Sequence, residues 1–293
     1  MTVLIGLDIG GSKTHGIRFV NGKTTAEITV GSTNIQNVSR RTASERLGLL
    51  FASLGSDAEY VIAGAGGIDT PADAAELQGL IHPYAPASTI RIVHDSRLIL
   101  AAGGSDTGIA VIAGTGSAVW GCDARGRESR IGGWGYLLGD EGSGYWLGRE
   151  AVRHSLRRSN AVLPQDILTE LLLAGCKLTD PRQLIALFHS PHHGRNFWAK
   201  QARHVVEAAA NDHEASRALL AKAGNDLADM TLSASRQLGI QGPVILGGGI
   251  GMNVRPVQEA FTSALQTRGI TNVRMLTTEP ALGALRLLNP QVH

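Results

Sequence analysis

Two short turns combine glycine with hydroxyl side chains. Gly10-Gly11-Ser12-Lys13-Thr14 follows the apolar run 3–8, and Gly114-Thr115-Gly116-Ser117 follows the apolar run 108–113. A turn of this composition can aim several backbone N–H groups at one anion. Either turn alone could be a simple hairpin turn, but a pair facing each other could grip the β- and γ-phosphates of a nucleotide. A third group, Gly247-Gly248-Gly249, follows the strand-like run 243–246. It leaves a surface without side chains where a nucleoside could lie, or lets a strand and a helix pack closely.

Carboxylates accompany these turns. Asp8 and Asp95 each end an apolar run, and a buried acid without a partner is costly, so both are predicted to face a ligand. Asp8 stands two residues before the first glycine turn, which suits a Mg2+ ion held through water. Asp95 precedes Ser96 and a helical pattern, so an N-cap is the alternative reading. Asp140 lies in GGWGYLLGDEGSGYWLG, residues 132–148, the segment densest in glycine and the one that holds Trp134 and Trp146. Exposed aromatic rings among glycines suit stacking on a sugar ring; for Asp140 the alternative is again an N-cap.

Several familiar motifs are excluded. Gly22-Lys23-Thr24 looks like the end of a P-loop, but Ile17 stands where the pattern needs glycine, and Asn21-Gly22 already reads as a hairpin turn. No GxGxxG, GxSxG or HExxH occurs. Cys122 and Cys176 form no CxxC and read as core or surface thiols. His189, His192 and His193 flank Pro191 without an acidic or Cys ligand, and read as an exposed loop.

The elements that must carry these groups repeat. Strands 3–8, 15–20 and 25–30, a helix over 37–54, a strand 60–65, a helix 71–80, a strand 89–93 and a helix from 97 make the first set. Strands 108–113, 118–122 and 128–131, a strand 243–246, a helix 254–267, a strand 273–276 and a closing helix 280–288 make the second. Between 140 and 238 lies a helical insert. Glycine supplies 37 of 293 residues, but 14 fall within 101–150 and only four within 151–240, which separates a loop-rich site from the helices supporting it. A repeat of this length predicts two α/β domains, 1–106 and 107–293, with the closing helix 280–288 a candidate to pack on the first, and a cleft between them beyond the carboxyl ends of the strands. With 27 Lys+Arg against 25 Asp+Glu, the charge is too balanced for a nucleic-acid binder. No run is apolar enough to span a membrane, and the N-terminus does not read as a signal peptide. A reducing cytoplasm is the expected location.

In chain order, DIGGSKT (8–14), STN (32–34), AGAGG (63–67), HDS (94–96), AGTGS (113–117), GGWGYLLGDEGS (132–143) and GGG (247–249) resemble the N-acetylglucosamine kinase branch of the BadF/BadG/BcrA/BcrD ATPase family. That family belongs with sugar kinases, heat-shock ATPases and actin. The resemblance covers nearly the whole chain, and GGWGYLLGDEGS is its specific part. It implies a duplicated actin-like, ribonuclease H-like α/β sugar-kinase fold with a central cleft and a helical insert in the second domain. It implies phosphoryl transfer from Mg2+ and ATP to the 6-hydroxyl of an amino sugar, N-acetylglucosamine or glucosamine, in a homodimer. By motif position, Asp95 becomes the general base. Asn34, Gly66, Asp95, Ser117, Gly133, Trp134, Gly135 and Asp140 become sugar contacts. Gly10, Gly11, Ser12, Lys13, Thr14, Gly114, Thr115, Gly116, Gly247, Gly248 and Gly249 become ATP contacts, and Asp8 serves the metal. Ile9 and Ser12 depart from many relatives, though Ser12 keeps a hydroxyl. Ala118 departs where relatives can offer the sugar a polar group, which keeps glucosamine open. A non-kinase ATPase switch of the same fold is the competing expectation. The iron–sulfur activators of the family need cluster cysteines that two thiols cannot supply.

Overall fold

The computed structural model describes residues 1–68 and 70–288. Strand β1 (Val3–Ile9) is apolar on both faces, the pattern of a strand covered on both sides. Beside it run β2 (Lys13–Val20), β3 (Lys23–Gly31), β4 (Tyr60–Ala65) and β5 (Thr89–His94). They form one sheet in the order β3-β2-β1-β4-β5. β1, β2 and β3 are antiparallel neighbours, whereas β1, β4 and β5 are parallel. The β2–β3 turn is Asn21-Gly22, both residues with positive φ, as the hairpin dipeptide requires.

Helices α1 (Arg40–Leu54) and α2 (Pro71–Ile81) cover one face of this sheet. Ser39 caps α1, and Thr70 with Asp73 closes a capping box on α2. Leu47, Leu50, Leu54, Leu77 and Ile81 pack there against Ile5, Leu7 and Ile9. The other face carries α3 (Asp95–Ala102) and the closing helix, α12 (Gly283–Leu288). Ala281, Ala284 and Leu287 join Leu4, Ile17, Ile62 and Leu98 in that layer. The approach is backbone to backbone: a Cβ on Gly6 would lie 2.6 Å from the Ala281 carbonyl and 2.7 Å from Ala284 Cβ. The predicted closing helix over 280–288 is shorter than its pattern, because 280–282 is a 3-10 turn.

The second sheet holds β6 (Gly108–Ala113), β7 (Ser117–Cys122), β8 (Glu128–Gly132), β9 (Val244–Gly247) and β10 (Val273–Met275), in the order β10-β9-β6-β7-β8. Read from β6 outward, this repeats the order of the first sheet. The insert consists of α4 (Gly144–Asn160), α5 (Ile167–Cys176), α6 (Gln183–Phe188), α7 (Arg195–Lys200), α8 (Ala202–Ala210) and α9 (Glu214–Leu238). α9 lies on β7 and β8 and along α11 (Arg255–Gln266). The short helix α10 (Gly248–Asn253) is absent from the sequence expectation, since three consecutive glycines argue against a helix. Contacts divide the chain into two compact units, one of Met1–Ala110 with the segment from Leu276, the other Val111–Met275.

Trp146 departs from expectation. It is buried in the first turn of α4, with the Lys222 ammonium 5.7 Å from its ring centroid, so it supports the insert and is not a ligand-facing ring. Cys122 is buried and Cys176 half-buried, neither in a disulfide, and burial pushes the Cys176 thiol up to about 11. His189 and His192 are exposed. Among the described residues, no helix is long and apolar enough to cross a membrane.

Candidate active site

In the first unit, strand register assembles the site. Ile9 pairs with Ala65, and Ala65 with His94. The next residue on each strand is Gly10, Gly66 and Asp95, so these three leave the carboxyl edge of the sheet in one row. His94, not Asp95, caps α3, accepting from the Ser96 N–H. Asp95 Oδ1 also accepts from that N–H at 2.9 Å. A Cβ on Gly66 would stand 3.0 Å from Asp95 Oδ2, so glycine there leaves room beside the carboxylate. Asn34 is buried and donates from Nδ2 to the Gly66 carbonyl at 2.9 Å, while its Oδ1 accepts from the Gln36 N–H at 2.9 Å. The predicted Asn34, Gly66 and Asp95 therefore meet.

Asp8 stands one strand away, half-buried. Burial, with the nearby carboxylates of Asp95 and Glu279, pushes its carboxyl up to about 7, against the pull of the Lys13 ammonium. An all-oxygen group of mutually repelling carboxylates is one that a hard dication fits. Glu279 went unnoticed in the sequence. Its Oε2 lies 3.3 Å from His15 Nδ1 and 3.9 Å from Lys13 Nζ, and it reaches the first glycine turn from the far end of the chain, with no motif to announce it.

The first turn spends part of its own polarity. The Gly10 N–H donates to the Lys13 carbonyl at 3.0 Å, and the Gly10 carbonyl accepts from Ser32 Oγ at 2.7 Å. Thr14 is fully buried, its hydroxyl 2.9 Å from that of Thr33. Gly10 and Thr14 thus shape the turn from within, and Gly11 and Ser12 lie at its tip.

In the second unit the two other glycine groups are adjacent: a Cβ on Gly114 would lie 3.8 Å from the Gly249 nitrogen. Gly247 ends β9 and Gly248 begins α10. Gly248 has φ +84°, and a Cβ there would meet the Ala113 carbonyl oxygen at 2.6 Å, whereas one on Gly249 would enter open space. Close packing therefore explains Gly248, and a free surface is left at Gly249. The Gly114 N–H closes the turn on the Gly116 carbonyl at 2.9 Å.

Asp140 is 2% exposed with φ +65°. It is not an N-cap, since Ser143 caps α4. Its Oδ1 accepts from the Ser117 N–H at 3.2 Å, and its Oδ2 from Arg195 Nη2 at 2.6 Å. A Cβ on Gly116 would stand 2.8–2.9 Å from both oxygens. Ser117 Oγ donates to the Glu141 carbonyl at 2.6 Å. Arg195 had no sequence signal, being one cation among many in the helical insert. Gly133 and Gly135 have positive φ, and between them Trp134 is 69% exposed.

A sequence profile described as the BadF/BadG/BcrA/BcrD ATPase family matches residues 5–287. The chain belongs to that family. It is similar to the N-acetylmuramic acid/N-acetylglucosamine kinase of Clostridium acetobutylicum, 29% identical over 278 residues and 90% of each chain. It is similar to the N-acetyl-D-glucosamine kinase of Dictyostelium discoideum, 27% identical over 97% of each chain. A crystal structure from Porphyromonas gingivalis, described as a candidate N-acetylglucosamine kinase, superposes over 100% of both chains with a TM-score of 0.79 at 23% identity. The fold of this family member is accordingly α/β and actin-like, as in sugar kinases, with one mixed sheet in each half.

Proposed function

We propose that this protein is an ATP-dependent kinase that phosphorylates the 6-hydroxyl of an amino sugar, N-acetylglucosamine or glucosamine. The observation that carries the reading is the meeting of Asn34, Gly66 and Asp95 at one sheet edge, in a chain whose curated relatives are kinases of N-acetylated sugars.

Asp95 Oδ1 is engaged by the Ser96 N–H, which leaves Oδ2, beside Gly66, to accept the hydroxyl proton as the sugar oxygen attacks phosphorus. Asn34 holds Gly66 and offers the sugar its remaining amide N–H. Asp140 and exposed Trp134 are further sugar contacts, for ring hydroxyls and for the apolar ring face. The turns around Ser12 and Thr115 take the phosphates, and Gly249 takes the nucleoside. Asp8 would hold the magnesium ion with water, and that ion would supply charge neutralisation at the phosphates. The protein's part is positioning and electrostatics, as in phosphoryl transfer generally. A homodimer accompanies this reading from the family resemblance, and a cytoplasmic location from the cysteine usage and the N-terminal sequence.

Coupled measurement of ATP consumption tests it, with N-acetylglucosamine, glucosamine, N-acetylmuramic acid, N-acetylmannosamine and glucose as acceptors. Stimulation by an amino sugar, with 6-phosphate product by NMR, is expected. ATP turnover that no sugar stimulates would overturn the kinase and favour an ATPase switch.

A further inference from the structure

Outside this site, three metal-ligating side chains converge within the helical insert. His154 comes from α4, Asp166 is the N-cap of α5, and His213 is the N-cap of α9. One ligand atom from each lies within 4.8 Å of the others. His154 Nε2 is 2.7 Å and His213 Nε2 is 3.0 Å from the same oxygen, Asp166 Oδ2. The three side chains are 14–16% exposed, shielded but reachable.

The far side of two of these ligands is already held. Asp166 Oδ1 accepts from Thr169 N at 3.0 Å and from Thr169 Oγ1 at 2.8 Å, which turns Oδ2 toward the histidines. His213 Nδ1 lies 2.8 Å from Ser216 Oγ. Outer hydrogen bonds of this kind fix a ligating carboxylate and a ligating imidazole in orientation. Without a cation, two imidazole N–H groups must crowd one carboxylate oxygen, which also lies 3.1 Å from Arg158 Nε. That guanidinium has a second acceptor in the Pro164 carbonyl, at 2.7 Å from Nη2, so it need not stay on Asp166. Ligands about 2.1 Å from a tetrahedral ion stand about 3.4 Å apart, so the two contacts to Asp166 at 2.7 and 3.0 Å need only open slightly within a cluster already no wider than 4.8 Å.

We propose that His154, Asp166 and His213 bind a first-row transition-metal dication of the zinc class, linking α4, α5 and α9 as a structural site apart from the kinase chemistry. Two imidazoles and one carboxylate select zinc, cobalt or nickel over magnesium or calcium, which take oxygen ligands. Binding at both Nε2 atoms leaves each ring proton on Nδ1; at His213 Ser216 Oγ, 2.8 Å away, accepts it, and the Ser216 N–H, 3.3 Å from that nitrogen, gives up its cap acceptor. The inference is independent of the sugar-kinase reading.

Chelator-stripped full-length protein titrated with ZnCl2 by calorimetry tests it, alongside His154→Gln, Asp166→Asn and His213→Asn. The last two keep side chains able to cap a helix, and circular dichroism verifies the fold of each. The expected result is one zinc per chain, a zinc-dependent rise in Tm, and affinity lower by roughly 10- to 100-fold or more in each variant. A control with His192→Asn and His193→Asn should bind as the parent does. Zinc that does not saturate, that binds the three variants as well as the parent, or that is lost only from the control overturns the site. Sugar-dependent ATP use is followed separately, so failure of one reading is distinguishable from failure of the other.

Discussion

Arg195 Nη2 sits 2.6 Å from Asp140 Oδ2, and the pair occupies the space that a side chain on Gly116 would need. Removing the cation strands a carboxylate that is 2% exposed, with the Ser117 N–H as its remaining donor among these contacts. Breaking a buried pair from one side costs about 3–5 kcal/mol. Arg195→Leu should therefore lower Tm sharply, and the double variant with Asp140→Asn should recover part of the loss. Thermal denaturation of the two singles and the double measures the coupling; additive losses would mean that the pair does not act as a unit.

Asp95→Asn should reduce sugar phosphorylation by ~10²–10⁴-fold while nucleotide affinity changes little. Steady-state rates beside calorimetric titration with a nonhydrolysable ATP analogue separate the two effects. Near-normal turnover would remove Asp95 as the base.

Gly248 and Gly249 are neighbours with opposite demands. Gly248→Ala forces a Cβ against the Ala113 backbone at positive φ and should cost on the order of 1–3 kcal/mol. Gly249→Ala meets no protein atom within 4 Å, so its Tm should stay near the parent value while KM for ATP rises. An unchanged KM would move the nucleoside away from Gly249.

Asp8 makes stability depend on pH in a sense opposite to most acids. Its folded carboxyl is pushed up to about 7, above its unfolded value near 3.9. Between those values the folded state binds the extra proton, so this group's contribution falls as pH rises from about 4 and is lowest above 7. In magnesium-free buffer Asp8→Asn should raise Tm at pH 8 and change it little at pH 4. Equal shifts at both pH values would contradict the assignment.

Trp134 is largely in solvent, so Trp134→Ala should leave Tm nearly unchanged. Its KM for the sugar should rise several-fold, with kcat much less affected, if the indole stacks on the ring.

Much of this arrangement was legible because it is local. Asp8, Gly10, Gly66 and Asp95 stand at ends of apolar strands, and parallel pairing brings such ends into register. The repeated hairpins declared two similar α/β halves, and their sheets share one strand order. What escaped was long-range or compensated. Glu279 and Arg195 reach their partners across large sequence separations, and a single charged residue carries no spacing signal. Trp146 shares a glycine-rich segment with Trp134, yet it falls on the first turn of α4 and is buried; composition cannot separate the two rings. The contacts that Gly10 and Thr14 make within their own turn are equally silent in the sequence, which does not reveal which donors a turn uses on itself.

The packing of α12 on β1 also sets an order of assembly. Ala281, Ala284 and Leu287 complete the layer around Leu4 and Ile17, and 165 residues of the other unit, Val111–Met275, are translated in between. During synthesis β1 and β2 must wait for α12, whereas the intervening unit has its whole sequence available earlier. The half that is made first is therefore the half that finishes last.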